Sequence, residues 1–165
     1  MKTTVLLPGT YDPVTRGHLA VIETAAALFD EVRAVIFVNP DKTCLFPLSD
    51  RLEFLRLATK TFPNVSVDAS DGLVVDYVRD NGIGFIVKGV RNEHDFRYER
   101  EMSDWNGAHG AKTLLLPTPP DLAAVSSTAL RENLGKGLSL DGLAAPGTSD
   151  AILSAYRRLS LDKRD

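Results

Sequence analysis

Cysteine occurs once in the 165 residues, as Cys44, and tryptophan once, as Trp105. A single thiol excludes an intrachain disulfide and a zinc cluster built on cysteines. Long apolar runs are missing too, and the first residues show no signal-peptide pattern. The expected compartment is therefore the cytoplasm, with no membrane partner. Basic excess is also lacking: 19 Lys and Arg against 22 Asp and Glu leave a formal net charge of −3. That balance argues against a broad nucleic-acid surface, while allowing a small anion held by a few local cations. Neither a P-loop nor the dinucleotide fingerprint GxGxxG occurs in a suitable position. Without a repeat, low-complexity tract or long linker, residues 1–165 are expected to form one domain.

What the chain does have is a regular alternation of strand-like and helix-like stretches. An apolar run, Val5-Leu6-Leu7, stops at Pro8-Gly9, and a polar loop with Thr10, Tyr11 and Asp12 follows. Thr15-Arg16-Gly17-His18 then leads into an amphipathic helix beginning at Leu19. Further strands are expected at 32–38, 65–68, 85–87 and 113–116, from their short apolar, β-branched runs. Ser49 and Asp71 are expected to cap the second and third helices, and a charged helix runs from about Asp95 to Asn106. Another starts at Val125-Ser126-Ser127-Thr128 and ends at Gly135-Lys136-Gly137; two short helical stretches close the chain, the last from about Ser149 to Leu159. This pattern predicts an α/β, Rossmann-like, doubly wound five-stranded parallel sheet with helices on both faces and a helical C-terminus.

Such sheets bind ligands outside the C-terminal ends of their strands. Thr10, Lys42, the Lys88-Arg91 pair and Ser126-Ser127-Thr128 all follow predicted strands, so polar groups converge on one edge. Helix N-termini there offer free N–H groups to phosphate. His18, on a first helical turn, is a donor aimed at the same place. Arg91 can either form an ion pair with Asp95 or Glu99, or hold a polyphosphate through its planar fork. Gly89 beside Lys88 is read as permitting close ligand approach. His94 and His109 lack metal spacing and are read as ordinary surface histidines, and Trp105 as a core or subunit contact.

At these positions the chain resembles the bacterial phosphopantetheine adenylyltransferases, in the nucleotidyltransferase superfamily marked by His/Thr-x-Gly-His. The resemblance rests on PGTYDPVTRGH, the Asn39-Pro40-Asp41-Lys42 loop and the segment from Gly72 to Tyr77. It continues through Lys88-Gly89-Val90-Arg91 with Asp95-Phe96-Arg97-Tyr98-Glu99, Met102 and Asn106, and ends on Val125-Ser126-Ser127-Thr128. It implies that ATP and 4′-phosphopantetheine give dephospho-coenzyme A and pyrophosphate, with Mg²⁺ held mainly by phosphates and no protein metal ligand. It also implies catalytic roles for His18, Lys42 and Arg91. The ATP site would be lined by Thr10, Tyr11, His18, Gly89, Val90, Arg91, Glu99 and the segment Leu122, Ala123, Ala124, Val125, Ser126, Ser127 and Thr128. Phosphopantetheine would meet Thr10, Lys42, Val74 and Lys88. A homohexamer, and coenzyme A as a candidate inhibitor, are implied as well.

The attacking phosphate oxygen is already anionic near neutral pH, so no protein general base is required. In-line positioning of two anions, and donors for the charge that develops, are what the reaction needs. The chain departs from the family pattern at Asp121-Leu122-Ala123-Ala124, at Thr128 in place of a serine, and in the short Asn106–Lys112 connection. Two competing expectations are a related transferase acting on nicotinamide mononucleotide or a phosphorylated alcohol, and a non-catalytic nucleotide sensor. Lys88 and the DFxYE block favour phosphopantetheine over the first, and the intact His18, Lys42 and Arg91 weigh against the second.

Overall fold

A computed structural model describes residues 2–162, with the side chain of Asp162 excluded. Five strands, β1 (Thr4–Gly9), β2 (Glu31–Phe37), β3 (Val65–Ser70), β4 (Phe85–Val90) and β5 (Lys112–Pro117), form one parallel sheet in the order β3-β2-β1-β4-β5. Between and after them run α1 (Arg16–Leu28), α2 (Leu48–Thr59), α3 (Val74–Asp80), α4 (Glu93–Ala108), α5 (Ser127–Lys136) and α6 (Ser149–Asp162). The expected doubly wound α/β sheet is therefore present. From β1 the chain winds outward through β2 and β3, then returns to start again on the other side at β4. The gap between β1 and β4 is the topological switch point, where such sheets open a crevice.

Alternation along the strands divides the apolar residues between two faces. Val5 and Leu7 join a large core with Ile22, Ala25, Phe54, Leu130 and Ile152, whereas Leu6 turns the other way to meet Val35, Ile86, Val75 and Val78. Helices cover both faces, as the near-continuous apolar runs of β1, β2 and β4 require.

Several local expectations change. α1 begins at Arg16 rather than Leu19, because Thr15 is its N-cap and accepts the His18 N–H at 3.3 Å. Ser49 lies inside α2, whose N-cap is Pro47, without a side-chain cap bond. Asp71 does not cap α3: Ser70 Oγ accepts the Gly72 N–H at 3.2 Å, the turn is spent there, and the helix starts after Leu73. Beyond Gly137, α6 is the one helix among the described residues. Gly142 and Gly147, at φ of 79° and 78°, interrupt the stretch where the other was expected.

β4 continues to Val90, so Lys88 and Gly89 are strand residues and not loop residues. The bare Cα of Gly89 serves the packing of the sheet on α1. A Cβ there would stand 2.6 Å from Val21 Cγ2 and 3.5 Å from Thr118 Oγ1. Gly89→Ala is expected to cost roughly 1–3 kcal/mol of stability through overpacking, read as a lowered urea midpoint at unchanged m-value.

Candidate active site

The first turn of α1 supplies the central residue. His18 occupies the third helical position and reaches back to its own cap: its Nδ1 accepts the Thr15 N–H at 3.1 Å. This is a capping box with an imidazole where glutamate or glutamine usually sits. Because Nδ1 is the acceptor, the proton of the neutral ring resides on Nε2. Half-buried, and facing Arg91 and Lys88, the imidazole is held down at a pKa of about 4 by desolvation first and those two cations second. At neutral pH His18 is thus an uncharged donor.

Tyr11 fixes the other side of that ring, their centroids 4.9 Å apart. It is 4% exposed, in a left-handed conformation at φ 47°, and its hydroxyl donates to the Leu7 carbonyl at 3.0 Å. Its ring fills the space left by Gly9, where a Cβ would lie 2.6 Å from Cε2.

Cations come from β4 and its end. Lys88 Nζ stands 3.5 Å from Glu99 Oε1. Arg91 Nε donates to Asp95 Oδ2 at 2.7 Å, Nη2 to Asp95 Oδ1 at 3.3 Å, and Nη1 to the Val125 carbonyl at 3.4 Å. Asp95 in turn takes its place from Asn92, the N-cap of α4, whose Oδ1 accepts the Asp95 N–H at 2.9 Å. The Arg91 guanidinium holds the Asp95 carboxyl below the usual carboxylate range. Ion pairing and a place in the cleft, posed as alternatives for Arg91, coincide: Asp95 aims the fork, and Arg91 still lines the cavity.

α5 brings a second helix N-terminus to the same edge. Ser126 caps it, accepting the Ala129 N–H at 3.0 Å, while Ser127 Oγ donates to the Pro13 carbonyl at 2.8 Å. The Ser127 hydroxyl therefore ties α5 to the loop after β1, and Ser127 lines the cavity.

Two clefts result, each of about 360 Å³. The first is lined by Gly89, Lys88, Arg91, Glu99 and Val125 to Thr128, the second by Thr10, Asp12, Lys42, Thr43, Cys44 and Arg131. Tyr11, His18 and Ser127 belong to both. His18 thus stands on the wall where the clefts meet. Lys88, expected beside Lys42, lines the first cleft with Glu99 instead. Val74 opens α3 and packs on the second apolar cluster, outside both. Val90, Leu122, Ala123 and Ala124 also line neither; Leu122 is buried as the last residue of the short 3₁₀ turn Pro120–Leu122, and the two alanines are exposed.

Arg131 is the cleft residue that sequence reasoning passed over. Its Nη1 donates to the Asp12 carbonyl at 2.6 Å, and it lines the second cleft with Lys42. The signal was there in its spacing, four residues after Ser127 and so on the same helical face.

The depressed pKa of His18 has a consequence for folding. Between about pH 4 and the ordinary value of 6.5 the unfolded chain carries a proton on this residue that the folded chain does not. Stability should therefore rise with pH across that window and lose this slope above it. Urea unfolding of wild type and His18→Gln at pH 4.5, 5.5 and 7.5 checks this; the stability difference between the two should shift toward the variant as the pH falls.

Comparison with known proteins gives the family. The cytidylyltransferase-like family model matches residues 6–133. A phosphopantetheine adenylyltransferase from Symbiobacterium thermophilum is 46% identical over 153 residues, covering 92% of this chain and 94% of the relative. Proteins of the same name from Frankia casuarinae and Frankia alni are 43% and 44% identical, covering 91% and 94% of this chain and 93% and 96% of theirs. A solved structure from Vibrio parahaemolyticus, described as a nicotinate-nucleotide adenylyltransferase, superposes with a TM-score of 0.69 at 17% identity, over 95% of this chain and 96% of that one. At that identity it supports the fold alone. With the family model spanning most of the chain, and relatives this similar over nearly their whole length, the chain belongs to the phosphopantetheine adenylyltransferases of the cytidylyltransferase-like family.

Proposed function

We propose that this protein transfers the adenylyl group of ATP to 4′-phosphopantetheine, giving dephospho-coenzyme A and pyrophosphate, a step of coenzyme A biosynthesis. One observation carries the mechanistic reading: His18 is shared by two clefts, one bearing Arg91 and Lys88 and the other Lys42 and Arg131. ATP takes the first, and the acceptor phosphate the second. An acceptor phosphate oxygen attacks the α-phosphorus, the new P–O bond forms as the bond to the β-phosphate oxygen breaks, and pyrophosphate leaves as an anion. No proton has to be removed from the nucleophile.

The chain's residues supply position and donors. His18 Nε2–H meets the oxygens of the α-phosphate, where charge develops. Lys42 and Arg131 draw in the acceptor phosphate and offset the repulsion between two anions, while Arg91 and the N-terminus of α5 hold the triphosphate. Mg²⁺ would ride on the phosphates, because the cleft carboxylates Asp95, Glu99 and Asp12 are already engaged, by Arg91, by Lys88 and by the Leu45 and Phe46 N–H groups. When bound it would neutralise phosphate charge.

Parallel turnover assays with phosphopantetheine and with nicotinamide mononucleotide test this reading. Pyrophosphate release is expected with the first acceptor and not with the second; the reverse would assign the chain to another acceptor. Coenzyme A carries both a pantetheine arm and an adenylate, and by spanning both clefts it would compete with each substrate. A homohexamer is part of the proposal, supported by the exposed Phe96, Met102 and Trp105 on α4. Among the described residues no helix is long and apolar enough to cross a membrane, which suits residence in the cytoplasm.

A further inference from the structure

Asp12 and Arg51 are charged residues only 6% and 5% exposed, and neither has a role in the mechanism above. Both span the same gap, between the loop after β1 and the segment that carries Lys42. The Asp12 carboxylate accepts the Leu45 N–H at 2.7 Å through Oδ2 and the Phe46 N–H at 2.9 Å through Oδ1. Arg51, on α2, donates its Nε to the Phe46 carbonyl at 3.1 Å and its Nη1 to the Thr10 carbonyl at 2.9 Å. Phe46 itself is 1% exposed and meets Phe54 edge-on, at 5.2 Å between centroids.

These contacts fasten backbone to backbone through two buried charges. Among the described residues Arg51 has no carboxylate within salt-bridge distance, and Asp12 has only Arg131, at 3.8 Å. Charge-assisted bonds of this kind are stronger than neutral ones, and a buried charge is costly once a partner moves away. Lys42 lacks such anchoring of its own. It is exposed, and its backbone N–H makes one turn bond, to the Asn39 carbonyl at 3.1 Å. Where Lys42 lies is therefore set by where the chain is pinned at Leu45 and Phe46.

We infer that Asp12 and Arg51 are positioning residues, a latch that places Lys42 over the acceptor phosphate. The inference rests on the adenylyl-transfer reading above. His18 takes its capping bonds from Thr15 within α1, and Tyr11, which packs on its ring, is held by its own hydroxyl bond to the Leu7 carbonyl, so the latch acts on the acceptor side.

The test compares Arg51→Lys, Asp12→Asn, Lys42→Ala and the double variant Lys42→Ala/Arg51→Lys with wild type. It reads turnover, KM for phosphopantetheine, calorimetric ATP affinity and Tm. Misplacing Lys42 by about an ångström should lower kcat/KM for phosphopantetheine roughly 10²-fold in Arg51→Lys and in Asp12→Asn. ATP affinity should stay within about twofold, and Arg51→Lys should add little in the Lys42→Ala background, because its effect passes through Lys42. A loss that multiplies that of Lys42→Ala, or an ATP affinity that falls by the same factor as acceptor turnover, would overturn the latch. Should Arg51→Lys not fold, Asp12→Asn carries the same comparison in the Lys42→Ala background, with faster amide exchange at Leu45 and Phe46 as its second readout. An inactive wild type overturns the activity reading and the latch together; an active wild type with additive variants overturns the latch alone.

Discussion

Replacing His18 by alanine is expected to lower kcat by roughly 10²–10³-fold, the usual loss when one preorganised donor to a developing oxyanion is removed. ATP affinity should change little by comparison. The asymmetry follows from geometry. His18 is an uncharged Nε2 donor on the wall between two clefts, and Arg91, Lys88 and the α5 N-terminus remain to hold the triphosphate. A donor used mainly in the transition state lowers kcat and kcat/KM together when it is lost, whereas a uniform binding residue raises KM alone. Steady-state kinetics paired with calorimetric ATP titration separate these cases. An unchanged kcat with collapsed ATP affinity would make His18 a binding residue.

Arg91 should show the opposite balance. Arg91→Ala removes the fork and also leaves the Asp95 carboxylate facing the bound triphosphate, so a missing attraction becomes a repulsion. Truncating one partner of a hydrogen-bonded charge pair costs on the order of 2–5 kcal/mol, and kcat/KM for ATP should fall by roughly 10²-fold or more. Arg91→Lys keeps the charge but cannot reproduce the contacts that Arg91 makes with both Asp95 oxygens and the Val125 carbonyl, so it should recover only part of the loss. Removing the stranded carboxylate as well should help: Arg91→Ala/Asp95→Ala is expected to use ATP better than Arg91→Ala. Equal activity of the two variants would show that Asp95 does not face the nucleotide.

The sheet was legible because buried parallel strands are short apolar runs, and VLL, VRAVIF and FIV carry that signal without ambiguity. The polar edge was legible for the same reason, since topology places every residue that follows a parallel strand on one side. Boundaries were harder. Lys88 and Gly89 read as loop because charge and glycine usually end a strand, yet here the glycine admits Val21 of α1 and the lysine pairs with Glu99. Ser49 and Asp71 are good capping residues in composition, but a cap depends on backbone conformation, which Pro47 and the Ser70 turn decided first.

Side-chain commitments were the least visible part of the site. Nothing local to Asp12 or Arg51 announces that each binds backbone groups more than 30 residues away. Beyond its spacing from Ser127, nothing in the sequence around Arg131 marks it for the site; the docking of α5 beside the loop after β1 brings it to the second cleft. Lys88 likewise takes its place from the strand: as a residue of β4 it lines the first cleft, which nothing local to its sequence announces.

The most direct measurement is turnover with Mg²⁺, phosphopantetheine and ATP whose α-phosphorus carries sulfur in one defined configuration. A single in-line displacement between the two clefts predicts dephospho-coenzyme A with inverted configuration at that phosphorus and one equivalent of pyrophosphate. Retention of configuration, or no dephospho-coenzyme A, would contradict the claim that the two phosphates meet directly at His18.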